Sequence, residues 1–143
     1  MTSRLASGGI FTAGNGVTVG FPVNVKIMRY FKESDFACKC CGKNLCSKSF
    51  MNKVDSAREE AGVPFILNSA YRCPEHNLSE GGKSTSSHTQ AACAVDIKAE
   101  DSRTRFRVTY GLIKTGFTRI GIGRKFVHAD EDENKDQEVE WLY

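Results

Sequence analysis

His88-Thr89-Gln90-Ala91-Ala92-Cys93-Ala94-Val95-Asp96-Ile97 is the stretch that decides how this chain folds and where its chemistry sits. From Ala92 to Ile97 the residues alternate as in a strand, with Cys93, Val95 and Ile97 on one face and Ala92, Ala94 and Asp96 on the other. The first face is apolar and claims the core, so Asp96 points away from it. Eight residue steps separate His88 from Asp96, and fully extended they would span roughly 26–29 Å. The two side chains can meet only if Thr89 to Ala91 curl back before the strand begins, which Gln90 and the small alanines permit.

Working outward, Ser47 and Ser49 are N-cap candidates for a helix running to about Ala61. Phe50, Val54, Ala57 and Ala61 recur there at spacings of three and four, and Gly62 supplies the stop. Pro64 opens a strand over 65–69, and a polar stretch up to His88 is too long to be mere connection. A second helix is expected over 102–114, capped by Asp101 or Ser102, with Phe106, Leu112 and Ile113 among its buried positions and Gly116 at its end. Strands near 118–122, 125–128 and 138–142 complete an α+β domain, in which helices cover one face of a mostly antiparallel sheet.

The chain's 143 residues suit one catalytic unit, read as residues 28–143, preceded by a flexible arm over 1–27 with a short strand around Val17 to Val19. Twenty basic and 17 acidic side chains are scattered, giving a net charge of +3 with no basic stripe, and nucleic acid is not an expected partner. The acidic run from Asp130 to Glu133 reads as a solvated turn. Met1 to Pro22 has no apolar stretch of the kind a secretory signal needs, and nothing later approaches a membrane span. Host cytoplasm or virion is the expected location, with no membrane insertion.

Three histidines exist, and His88 and His128 stand near strand-borne carboxylates, Asp96 and Asp130. That is the composition of a catalytic zinc site, where three nitrogen or oxygen ligands leave the fourth position to water. Six cysteines are many for this length. Cys38, Cys40, Cys41 and Cys46 are compatible with a structural zinc knot, though a cramped one, with disulfides, or with free thiols in a reducing compartment.

Several ordered motifs carry a resemblance. Asn68-Ser69-Ala70-Tyr71-Arg72-Cys73-Pro74-Glu75-His76-Asn77, Gly81-Gly82-Lys83-Ser84-Thr85-Ser86-Ser87-His88, Ala94-Val95-Asp96-Ile97 and Phe126-Val127-His128-Ala129-Asp130 together resemble the zinc D-alanyl-D-alanine carboxypeptidases, in the short form common in bacteriophage genomes. Gly116-Phe117, Arg119-Ile120-Gly121-Ile122 and Trp141-Leu142-Tyr143 extend the likeness over nearly everything after Met28. The resemblance implies a fold shared with lysostaphin-type peptidases and the hedgehog signalling domain, and one zinc held by His88, Asp96 and His128. It implies that Arg72 and Ser86 bind substrate, here a peptidoglycan stem peptide. A guanidinium suits that task on physical grounds, since it grips a carboxylate or carbonyl with two parallel hydrogen bonds. Delivery by a holin or a phage tail would place other virion proteins among its partners.

The chain departs from the family pattern twice. It has one step more between His88 and Asp96, and alanines where the family has glycine; the extra residue belongs in the turn, because an insertion in the strand would turn Asp96 to the opposite face. Lys125 occupies the position where well-studied relatives carry the general base. Asp130, on the same strand face as His128, is the replacement candidate, with orientation of a ligand histidine as its competing role. His76 lines the cleft or stabilises a turn. Three functions remain open from sequence: a zinc peptidase acting on the bacterial wall, a wall-binding or virion structural protein that keeps the fold without the base, and a redox or scaffold module held together by the cysteine cluster.

Overall fold

Helix α1 (Lys48–Ala61) starts where Ser47 Oγ accepts the Phe50 amide, and it ends at Gly62. Phe50, Met51, Val54, Ala57 and Ala61 are buried along one face, the stripe that their spacing predicts. In the computed structural model the described residues are 10–12, 18–20, 27–91 and 93–143. Two short strands, β1 (Ile10–Thr12) and β2 (Thr18–Gly20), pair antiparallel. The expected strand thus overlaps β2, while Val17 and most of the expected arm lie outside the described residues.

The sheet that matters for function contains β3 (Leu67–Ser69), β4 (Ala94–Lys98), β5 (Arg119–Ile122), β6 (Phe126–Asp130) and β7 (Val139–Leu142), ordered β3-β4-β6-β5-β7. Its neighbours pair antiparallel except β5 and β7, which run parallel. The sheet is therefore mixed. After β6 the chain passes back to the start of β5, where the Val139 amide donates to the Thr118 carbonyl, and β7 then runs alongside β5.

One face of the sheet is the core face. Val95, Ile97, Val127, Ala129 and Ile120 are buried there, in one cluster with Phe50, Val54, Val108, Leu112 and Phe117. Helix α3 (Ser102–Lys114), capped by Asp101 whose Oδ1 accepts the Thr104 amide at 2.8 Å, packs on α1. Gly111 makes that close approach possible, since a Cβ there would sit 2.8 Å from the Ala61 Cβ.

That packing corrects the expected burial of α3. Val108, Gly111 and Leu112 form its inward stripe, whereas Phe106 and Ile113 are 64% and 58% exposed. Phe106 sits half a helical turn from Val108, and stacks instead on Tyr110 along the outer side. The polar stretch after β3 also contains a short helix the sequence reading missed, α2 (Pro74–Ser79), with proline in its first turn. Among the described residues no helix is long and apolar enough to cross a membrane.

Candidate metal centre

The register of β4 against β6 builds the site. Asp96 pairs with His128 and Ala94 with Asp130, so these side chains share the face opposite the core. His88 arrives from a 3-10 turn, Ser87–Thr89, opened where Ser86 Oγ accepts the His88 amide at 3.2 Å. The Cys93 amide then donates to the Gln90 carbonyl at 2.9 Å, and Cys93 takes a φ of 43° before the regular strand starts at Ala94. The chain thus curls back between His88 and the strand. Ala92, expected on the Asp96 face, lies outside the described residues.

His88 Nε2 lies 3.3 Å from one oxygen of Asp96, and His128 Nδ1 lies 2.9 Å from the other. An ion bonded at about 2.0–2.1 Å to tetrahedrally disposed nitrogen and oxygen ligands needs donor separations of about 3.3 Å. The match is close. Beside Asp96, His88 Nδ1 stands 2.7 Å from the Ala70 carbonyl, which only accepts, so Nδ1 carries a proton and, in the neutral ring, Nε2 is the nitrogen left to bind a metal. His128 Nε2 faces Asp130 Oδ2 at 2.6 Å. An acceptor behind each imidazole is how metal-bound histidines are oriented. Two imidazoles and one carboxylate, with a fourth side open to a cleft, fit a catalytic zinc.

The charges are mutually dependent. Burial would raise the Asp96 pKa, but hydrogen bonds from His128 and His88 hold its carboxyl well below the usual range. Burial also works against ionised Asp130, and the hydrogen bonds from His128, the Asp132 amide and Arg119 prevail and lower its pKa. His128 moves the opposite way: burial favours the neutral ring, yet Asp130 and Asp96 raise its pKa. Arg119 Nε donates to Asp130 Oδ1 at 2.7 Å, and the Asp132 amide donates to the same oxygen at 3.0 Å. Asp130 is 1% exposed with both oxygens engaged.

The cleft, of about 260 Å³, is lined by Arg72, Ser86, His88, Asp96, Trp141 and Tyr143 among others. Among the described residues, Arg72 Nε is buried without a hydrogen-bond partner. The Trp141 indole lies over Gly121, where a Cβ would sit 2.6 Å from the ring, and 5.5 Å from the His128 ring. Glycine at 121 is what lets the aromatic wall approach His128. Ser86 lines the cleft while its hydroxyl also caps the turn carrying His88. Lys125 is exposed and borders a different depression, with Glu100 and Arg124. His76 stands in α2, 3.3 Å from Glu80, in a second pocket that it shares with Arg72.

A family model described as Peptidase M15 matches residues 29–130. The chain belongs to this family. Peptidase M15 is the metallopeptidase family of the zinc D-alanyl-D-alanine carboxypeptidases, whose members are zinc-dependent in general. The match runs through His88, Asp96, His128 and Asp130, and ends before Trp141 and Tyr143. Comparison with curated proteins gives no match.

Two expectations need correction around this M15 site. The acidic run is not a solvated turn throughout: Asp130 and Asp132 point inward, Asp132 accepting from Ser87 Oγ at 2.8 Å, while Glu133 is exposed. Strand alternation from His128 to Asp130 is the available signal for Asp130, whereas Asp132 lies beyond the end of β6 and has none. The sequence pattern assigns no task to Arg119 or to Lys135, which pairs with Asp132 at 3.4 Å. The second correction concerns the cysteines. Cys46 forms a disulfide with Cys93, and Cys73 joins Cys38, Cys40 and Cys41 in its place. The Ser47 amide donates to the Ala91 carbonyl, which draws Cys46 toward β4 and away from the other three.

Proposed function

We propose that this protein is a zinc peptidase that hydrolyses peptide bonds in the stem peptides of peptidoglycan, at the terminal D-Ala-D-Ala or within the stem. The observation that carries the reading is the convergence of His88 Nε2, the Asp96 carboxylate and His128 Nδ1 on one point beside a cleft that also holds the unspent Arg72. Bound there, zinc supplies Lewis acidity to the scissile carbonyl and lowers the pKa of water. The chain's own residues do the rest. Arg72 takes a substrate carboxylate or carbonyl with two parallel hydrogen bonds and fixes its direction. Trp141 and Tyr143 form an aromatic wall that accepts small side chains and limits water on that side. Ser86 holds the His88 turn and offers a polar edge to the substrate. Asp130 and Ala70 aim the two imidazoles.

The role of Asp130 divides into two proposals. As general base it would take the proton of attacking water and pass it to the leaving amine. As a positioning residue it would hold His128 in one tautomer, a role favoured by its contacts with His128, Arg119 and the Asp132 amide. The same observation favours a second functional reading, a wall-binding or virion protein that keeps metal and fold but lacks a free proton acceptor, since Lys125 is exposed and turned to another depression. Either function suits a phage-borne protein delivered by a holin or a tail.

The test is zinc analysis of the purified chain, together with mass spectrometry of muropeptides after incubation with peptidoglycan. Zinc plus new stem-peptide termini supports the peptidase, and the mass lost identifies the bond. Zinc and wall binding with intact muropeptides would select the non-catalytic reading.

A further inference from the structure

We propose that Cys38, Cys40, Cys41 and Cys73 form a second, structural zinc site that fastens the segment carrying Arg72. The four sulfurs come from two loops, Cys73 standing 33 residues beyond Cys40, and all four lie within 4.8 Å of one another. Cys40 Sγ is 3.6 Å from Cys38 Sγ and 3.3 Å from Cys73 Sγ. Tetrahedral zinc with bonds of about 2.3 Å to sulfur sets its thiolates about 3.8 Å apart. A disulfide would need about 2.05 Å. The spacing is that of ligands around one ion, with no side left open for substrate.

The surrounding backbone turns amide donors toward two of the four sulfurs. Cys38-Lys39-Cys40-Cys41-Gly42 folds back on itself, the Gly42 amide donating to the Cys38 carbonyl at 2.8 Å and the Cys38 amide to the Lys43 carbonyl at 2.7 Å. The Cys73 amide points at Cys38 Sγ, and the His76 amide at Cys73 Sγ, both at 3.4 Å. Donors aimed at sulfur favour its charged form, the form that binds metal. Four thiolates this close repel unless a cation sits among them. Lys39 does not serve, because its ammonium donates to the Asn68 carbonyl at 2.7 Å.

Position gives the site its consequence. Cys73 directly follows Arg72, the Tyr71 amide donates to the Phe36 carbonyl at 3.1 Å, and the Arg72 amide donates to the His88 carbonyl at 2.9 Å. Zinc on the four sulfurs would tie the 36–42 loop to the strand end that presents Arg72 and, through it, to the His88 turn. Cys73 is thus a positioning residue for the substrate arginine.

The experiment uses the full chain with both His88 and His128 changed to Ala, which removes the sheet-face ligands and keeps every cysteine. It should still bind one zinc, and on exchange to cobalt should show sulfur-to-cobalt charge-transfer absorption. Adding Cys73→Ser should abolish that absorption; adding Cys46→Ser should leave it. In the unmodified protein, alkylation mapped by mass spectrometry should spare Cys38, Cys40, Cys41 and Cys73 until a chelator is added. Absence of metal and of the absorption in the double-Ala chain, or alkylation of these four at the same rate with and without chelator, would overturn the site. Failure of the peptidase reading shows elsewhere, as intact muropeptides with the thiolate-bound zinc still present.

Discussion

The chain carries two clusters of side chains that could hold a metal ion, built by opposite means. On the sheet face, β4 and β6 set Asp96 beside His128 by strand register, and a 3-10 turn supplies His88. In the cysteine cluster no ligand lies on a strand or within a helix: three come from the loop before α1, and Cys73 caps α2. The first uses two nitrogens and a carboxylate and faces a cleft. The second uses four sulfurs and closes on itself. Rigid elements thus position an open site, where placement of a substrate to within about 1 Å decides rate, and loops serve where the ligands themselves hold the parts together.

The sharpest way to break this contrast is to delete sheet-face ligands singly. His88→Ala or His128→Ala should remove one zinc per chain and abolish peptide release from peptidoglycan, while the thiolate-bound zinc stays. Metal analysis beside muropeptide mass spectrometry reads both. Unchanged zinc in both variants would end the assignment of these histidines.

Arg72 lies between the clusters, lining the cleft with Cys73 as its neighbour. Arg72→Ala should leave both zincs bound while lowering turnover on the order of a hundredfold or more, because the clamp both binds and orients. Arg72→Lys should rescue poorly, since an ammonium cannot make the two-pronged contact. Steady-state kinetics on a purified stem peptide tests this, and wild-type values for the Ala variant would remove Arg72 from the site.

The two clusters also differ in how much of them the sequence disclosed. The convergence of His88, Asp96 and His128 is legible because alternation over 93–97 separates the core face from the opposite one, and because ordered motifs single out these two histidines. Spacing along the chain groups Cys38, Cys40, Cys41 and Cys46, the four nearest in sequence. Proximity along the chain misled there, since Cys73 reaches the cluster through tertiary contact and Cys46 is drawn to Cys93. Likewise Phe106 and Ile113 are apolar enough to suggest burial, whereas the inward stripe of α3 is the one carrying the small Gly111 that lets α1 approach. The parallel pairing of β7 had no local signal at all.

Asp130→Asn gives the finest distinction, because it asks what stands behind His128 rather than which side chains meet at the cleft. Asn keeps the size of the side chain and an oxygen able to accept from His128, but loses the charge shared with Arg119. If Asp130 orients His128, zinc affinity should fall roughly tenfold to a hundredfold, with turnover recovered when zinc is in excess. If it is the base, zinc stays and turnover falls whatever the zinc concentration. Stability gives an independent reading. The folded pKa of Asp130 is lowered, so the ionised pair contributes stability above the unfolded value of about 3.9 and loses it as pH falls through the folded value. The Asn variant has no such contribution to lose. In chelator-treated protein, the difference in urea midpoint between wild type and Asp130→Asn should therefore be widest near neutrality and shrink below about pH 4. A difference that stayed constant into acid would show that the carboxylate's charge does not stabilise this fold, and would leave the proton-accepting role as the reason for an acid beside His128.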